Sequence, residues 1–363
     1  MTTTVLTHEM QPQLLMAAEP LPSPLELAQA HPLEPGAAEI IHNTRREIID
    51  VMEGRDPRML VVVGPCSLDD SRQPDGEYSA VHFAEQLQEL SQDPDIRDNL
   101  LVVMRCPPPK PRTKLGKRGL EQGSIETAHE ILTAIANKGV PLASEVMLAR
   151  HLAQYGPLLS VVWTGARNGE DVNIRHTLSA YPDMPVFCKN AGSGDFAMAT
   201  DAAQTINEPH ANVEVMLPDG RMGSLPLSPG NAHTGVIYRG GKDATTPEAY
   251  EKQLLAIAKL SEKLGLPLAA DMSHGGAVAH GGKKSAEGQR QAHDHVLELM
   301  AGRLVTIKAL WVEAYLHEGA DTSGETPGMS VTDECVCING LREMLLRTAQ
   351  VHATLTDEGH TYE

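Results

Sequence analysis

Short runs of β-branched and aliphatic residues recur along the chain, separated by longer stretches in which apolar positions fall at helical spacing. The runs at residues 59–63, 101–105, 141–146, 159–164, 185–189, 235–238, 267–272 and 305–311 read as strands. Each is continuously apolar rather than alternating, the pattern of a parallel sheet covered on its outer face. The stretches 78–90, 124–138, 147–155, 197–206, 247–264 and 285–300 read as the helices between them. Eight strands alternating with helices predict a (β/α)8 TIM barrel over residues 36–353. An open doubly wound sheet is the alternative, but no G-x-G-x-x-G opens a strand-to-helix turn where that fold would place it.

Around this barrel the pattern predicts additions. Residues 1–35 are rich in Pro, Thr, Ala and Glu without a sustained period, and form an N-terminal arm expected to be partly disordered or laid on an oligomer interface. Ala38, Ile41, Ile48 and Met52 then begin a helix that Gly54 and Pro57 end. Pro218-Asp219-Gly220, inside 213–223, predicts a hairpin inserted in a βα loop. A helix over 339–353 closes the domain, and 354–363 is expected to be a frayed tail.

Composition narrows the class. A formal net charge of -18 argues against nucleic acid or an anionic membrane as partner. No apolar run is long enough to span a bilayer. The N-terminus lacks the basic flank and apolar stretch of a secretion signal, so the expected location is the cytoplasm. Aromatic residues make up 3% of the chain, so its core must be aliphatic. Five cysteines in 363 residues do not make a disulfide framework, and reduced thiols are expected. Cys335 and Cys337 read as structural cysteines, His280, His293 and His295 as surface histidines, and the Gly275-Gly276 and Gly281-Gly282 pairs as a mobile loop.

In a barrel, chemistry sits at the carboxyl ends of the strands. Two groups of residues fall there. Cys66, His274, Glu313 and Asp333 are a thiolate, an imidazole and two carboxylates, a set that suits Mn²⁺, Fe²⁺, Co²⁺ or Zn²⁺. They follow the first, seventh and eighth strands, which adjoin in a closed barrel. Arg105, Lys110, Arg112, Arg167, Lys189 and Arg239 form the second group. So many cations around one mouth require anionic groups among them, such as two phosphates and a carboxylate. Lys189 could instead form a Schiff base, as in metal-free aldolases.

The blocks VVVGPCS (61–67), VVMR (102–105), KPRT (110–113), ASEV (143–146), GAR (165–167), KN (189–190), YRGGK (238–242), DMSH (271–274), VE (312–313) and VTD (331–333) occur in this order. They resemble the type I 3-deoxy-D-arabino-heptulosonate-7-phosphate (DAHP) synthases, which open the shikimate pathway to the aromatic amino acids. The resemblance implies an oligomeric (β/α)8 enzyme, here expected as a homodimer or homotetramer. It implies the condensation of phosphoenolpyruvate with erythrose 4-phosphate, assisted by one divalent metal ion, Mn²⁺ first. By the same resemblance Cys66, His274, Glu313 and Asp333 hold the metal. Arg105, Lys110, Glu145, Ala166, Arg167, Lys189 and Arg239 contact phosphoenolpyruvate, while Arg112, Thr113 and Asp333 face the aldose phosphate. Lys110 is placed to protonate the developing alkoxide.

The chain departs from the family pattern at several places: Cys106-Pro107-Pro108-Pro109 before KPRT, a shorter segment after Gly119-Leu120, Asn168-Gly169 for the usual Thr-Thr, Ala191 for a glycine, and Gly275-Gly276 after His274. These changes surround the acceptor side. They keep open the same donor chemistry on another aldose, or a non-catalytic regulatory paralogue.

Overall fold

The computed structural model describes residues 20–107 and 125–359. Lys110, Arg112 and Thr113 lie outside the described residues.

Eight parallel strands close a barrel: β1 (Met59–Gly64), β2 (Leu100–Arg105), β3 (Leu142–Val146), β4 (Val161–Thr164), β5 (Val186–Lys189), then, after a separate hairpin of β6 (Ala211–Met216) and β7 (Met222–Leu227), β8 (Thr234–Tyr238), β9 (Leu268–Asp271) and β10 (Ala309–Tyr315). Closure comes from β1 pairing with β10, with Gly64 opposite Glu313. A short β11 (Val336–Cys337) extends β10 outside the ring. The (β/α)8 expectation therefore holds.

Alternation along each buried strand builds two cores. Val61, Val63, Val102 and Met104 face outward and pack against the helices. Leu60, Val62, Leu101, Val103, Trp163, Phe187, Ile237 and Trp311 face inward and fill the barrel. Ile48, Val51 and Met52 of the helix Pro35–Glu53 belong to this inner cluster, so that helix plugs the floor. It stops where Gly54 adopts φ 79°, a left-handed cap that costs glycine little. Trp163 and Trp311 meet edge to face at 6.2 Å, and Phe187 meets Trp311 at 5.0 Å. With so few aromatics, these rings carry much of the inner core, and removing one would cost roughly 3–5 kcal/mol.

Several placements differ from the sequence expectation. The last barrel strand runs from Ala309 to Tyr315 rather than over 305–311, because Val305 and Ile307 are buried in the approach to the strand and so read as part of it. The hairpin exists, but it follows the helix Ala197–Asn207 and precedes β8. It therefore sits in a helix-to-strand connection, not in a βα loop, and so belongs topologically to the end of the barrel opposite the chemistry. The final helix runs Ile338–Gly359, past residue 353, because Leu355 still packs on the core. In the N-terminal segment, the helix Pro24–Ala30 carries a Ser23–Glu26 capping box, and Leu25 N donates to Pro218 O at 2.9 Å, docking it on the hairpin turn. Among the described residues, no helix is long and apolar enough to cross a membrane.

Candidate active site

The strand ends converge at the top of the barrel. After β1, Gly64 and Pro65 lead to Cys66, which is buried. A Cβ on Gly64 would lie 2.3 Å from the Arg105 carbonyl oxygen, so β1 and β2 approach here backbone to backbone. Arg105 ends β2, donates through Nη1 to Pro65 O, and places Nη2 2.9 Å from Glu313 Oε1. Burial would lower the Glu313 carboxylate's share of charge, yet Arg105 holds its pKa below the ordinary value.

Glu313 lies within β10, directly across from Gly64, rather than beyond the strand end. Its backbone is fixed by Gln289: Glu313 N donates to Gln289 Oε1 at 2.9 Å, and Gln289 Nε2 donates to the carbonyls of Glu313 and Glu334. That second bond carries the grip into the loop holding Asp333. Cys66, Glu313 and Asp333 bring ligand atoms within 4.8 Å of one another. Lys284 Nζ lies 2.8 Å from Asp333 Oδ2.

His274 approaches this group through Glu313, its Nε2 standing 3.8 Å from Glu313 Oε1. Its backbone has φ 59° and ψ -120°, a costly conformation for a residue with a side chain, held because the next residues start the helix Gly275–Gly281. The glycine-rich segment after His274 is thus a helix, not a loop. Gly275 N donates to Arg239 O at 2.9 Å, and a Cβ on Gly240 (φ 75°) would lie 2.6 Å from the Gly275 backbone. Burial lowers the His274 pKa to about 4, leaving a neutral imidazole near pH 7. Its Nδ1 sits 3.1 Å from Asp271 Oδ2, an orientation that leaves Nε2 facing the mouth.

Asp271 is the hinge between the two predicted groups. It is fully buried and also receives Lys189 Nζ at 2.6 Å. Burial alone would raise its carboxyl, but Lys189 and His274 hold it well below the usual range. Arg105 and Lys189 both stand over the Trp163 ring, at 5.6 and 5.7 Å from its centroid. Of the other anion-group residues that the structure describes, Arg239 follows β8 directly and Arg167 lies in the turn after β4. Arg239 is half-buried, its N–H donating to Asn190 Oδ1, and it lies close enough to His274 to oppose protonation there. Ala166 and Glu145 are half-buried, and Arg167 is exposed.

Residues 32–345 match the family described as the DAHP synthetase I family. The chain belongs to that family. It is 31% identical over 359 residues to the Tyr-sensitive phospho-2-dehydro-3-deoxyheptonate aldolase of Salmonella typhimurium, covering 93% of this chain and 94% of that one. It is 28% identical to the phospho-2-dehydro-3-deoxyheptonate aldolase of Corynebacterium glutamicum, over 92% of each chain. The structure of the phospho-2-dehydro-3-deoxyheptonate aldolase from Francisella tularensis superposes with a TM-score of 0.80 at 26% identity, covering 93% of this chain and 98% of that one. The chain is therefore an enzyme, and within the DAHP synthetase I family it spans nearly the whole length of these relatives.

The sequence marks the outer residues of this candidate site but not those that hold them. Asp271 was visible only as part of the DMSH block, and its double pairing needs the barrel to bring Lys189 alongside. Gln289 and Lys284 sit on or before the helix Ala286–Ala301, with no local pattern marking them. His293 is buried against Thr348 Oγ1 at 2.7 Å, and His280 and His295 bond each other at 2.8 Å, so none of the three is a free surface histidine. Cys335 is fully buried, in keeping with a structural role.

Proposed function

We propose that the enzyme joins C3 of phosphoenolpyruvate to the aldehyde carbon of erythrose 4-phosphate, with water adding at C2 and inorganic phosphate leaving, to give DAHP in the cytoplasm. One observation carries this reading: a cluster of two carboxylates and a cysteine sulfur and a buried cation pair meet at one mouth, joined by Arg105–Glu313 and His274–Asp271. The cluster fits a divalent ion. Cys66, Glu313 and Asp333 present mixed soft and hard donors at mutual distances one ion can span, and His274 adds a neutral nitrogen beside Glu313. We assign Mn²⁺ first, with Fe²⁺, Co²⁺ or Zn²⁺ as substitutes. When bound, the ion supplies a Lewis acid for the aldehyde oxygen.

The chain's own residues do the rest. Arg105, Lys189, Arg167 and Arg239 offer four positive charges to the phosphate and carboxylate of the donor. Trp163 and the aliphatic layer beneath exclude water from the underside of this anion site, which strengthens each charge–charge contact. Burial lowers the Lys189 pKa; Asp271 acts against that shift and orients the ammonium, and the same carboxylate fixes the His274 ring. We assign Lys110 as the proton donor to the new hydroxyl, and Arg112 and Thr113 as contacts of the acceptor phosphate.

We also propose a homodimer or homotetramer. Leu21, Leu25, Met222 and Leu227, on the N-terminal segment and the hairpin, are each about half exposed or more. A second copy covering them would bury that apolar surface, and a Leu25→Asp, Met222→Asp variant should then run as a smaller particle in light scattering.

The test of the activity is loss of phosphoenolpyruvate with erythrose 4-phosphate by Mn²⁺-loaded protein, repeated with chelator and with other aldoses. Chelator-sensitive turnover is expected, with one metal ion per chain in the parent and less in Cys66→Ala by elemental analysis. Turnover with another aldose alone would move the acceptor assignment, and no turnover with any would sink the reading.

A further inference from the structure

At the end of β4 the chain turns through Gly165-Ala166-Arg167-Asn168 before the helix Val172–Ser179. The Asn168 side chain faces back into this turn and uses both ends of its amide. Its Oδ1 accepts from Gly165 N at 2.7 Å, and its Nδ2 donates to the carbonyl of Val146, the last residue of β3, also at 2.7 Å. One side chain therefore ties the first residue after β4 to the last residue of β3, at the final rung of their ladder, Val146 opposite Thr164. Its backbone adds to the turn, Asp171 N donating to Asn168 O at 3.1 Å. Arg175 Nε donates to Gly169 O at 2.6 Å and secures the far side.

What lies inside this turn gives the tie its meaning. A Cβ on Gly165 would fall 2.1 Å from Glu145 Oε1, so the Glu145 carboxylate rests directly on the Gly165 backbone. Burial lowers the Lys189 pKa, and Glu145 sits close enough to act against that shift. Ala166 and Arg167 follow Gly165 immediately. The position of Gly165 thus sets Glu145 from one side and the Ala166-Arg167 pair from the other.

We infer that Asn168 is a positioning residue for the donor half of the active site, acting through Gly165 on Glu145, Ala166 and Arg167 without touching substrate. This rests on the assignment of phosphoenolpyruvate as donor. An amide suits the task because it offers a donor and an acceptor at fixed separation. Asparagine to aspartate keeps the shape and the bond from Gly165 N, but sets a carboxylate oxygen against the Val146 carbonyl. Alanine removes both bonds.

The experiment is a titration of Mn²⁺-loaded parent, Asn168→Asp and Asn168→Ala with phosphoenolpyruvate, read by tryptophan fluorescence. Trp163 beneath Arg105 and Lys189 is the reporter, with Trp311 the one other tryptophan of the chain. Steady-state KM for each substrate and thermal melts accompany it. The expected result is a phosphoenolpyruvate dissociation constant and KM raised roughly tenfold in both variants, on the scale of one or two lost hydrogen bonds. The KM for the aldose phosphate and the melting temperature should stay near those of the parent. Parent-like phosphoenolpyruvate binding in the variants, or a rise in both KM values together with a lower melting temperature, would overturn the positioning role while leaving the donor assignment intact. A parent that does not bind phosphoenolpyruvate would overturn both.

Discussion

Arg105 and Glu313 are each other's counter-ion, 2.9 Å apart and both shut off from solvent. One belongs to the anion group and the other to the metal group, so the two halves of the site share a charge. A divalent cation drawing on Glu313 would release part of Arg105's charge toward an anionic donor. Phosphoenolpyruvate should accordingly bind the Mn²⁺-loaded protein more tightly than the chelated one, by a factor of roughly 5–150, and must then tighten metal binding by the same factor. Fluorescence titration with and without chelator measures one side and competition with a metal indicator the other. Equal donor affinity in both states would remove the coupling.

Lys189 and Asp271 make a second buried pair, and breaking it should cost more than the pair itself contributes. Asp271→Asn leaves an ammonium buried without its carboxylate and frees the His274 ring. The unfolding free energy should drop by about 3–5 kcal/mol in urea denaturation. The double variant Lys189→Met, Asp271→Asn should regain part of that stability and none of the turnover. A double variant no more stable than Asp271→Asn would show that Lys189 was not the stranded charge.

Two histidines away from the mouth set an acid limit. Burial lowers both His129 and His151 to about 4, reinforced by His31 near the first and Arg150 near the second. Between their ordinary value near 6.5 and about 4 the unfolded chain binds protons that the folded chain does not. Their contribution is therefore complete above the ordinary value and is lost as pH falls toward about 4. Stability of the parent should decline across that window. A His129→Gln, His151→Gln variant should decline less steeply in denaturation curves at stepped pH, and an unchanged slope would count against these two groups.

Gly64→Ala offers a steric check on the mouth. The new methyl would enter the 2.3 Å gap to the Arg105 backbone oxygen, pushing β1 and β2 apart where Cys66 and Arg105 are set. Overpacking of this kind typically costs roughly 1–3 kcal/mol. Loss of metal stoichiometry and turnover alongside a lower melting temperature is expected, and a variant with parent-like metal content would mean that the strand ends can yield.

The barrel was legible because buried parallel strands must be apolar on both faces, so each appears as a short unbroken run. The same rule misplaced the last one: Val305 and Ile307 are buried without being in the ladder. The metal set could be proposed from residue types at strand ends, since Cys66, Glu313 and Asp333 keep their chemistry whatever their register. What could not be read was who supports them. Asp271, Gln289 and Asn168 gain their roles only from neighbours on other strands. Nor does a glycine-rich stretch announce a helix; the one after His274 forms because its glycines let two backbones touch.

The register that sets Gly64 opposite Glu313 joins the first barrel strand to the last. Cys66 and Asp333 therefore face each other across the seam of the ring, though they are 267 positions apart along the chain. An ion held there would clasp the two ends of the barrel, and its uptake should slow opening of the seam more than of any other strand pair. A growing or truncated chain that has not yet added its last strand owns one half of the clasp and nothing to close it on. With the ion as clasp, completion of the fold and the onset of competence would become a single event.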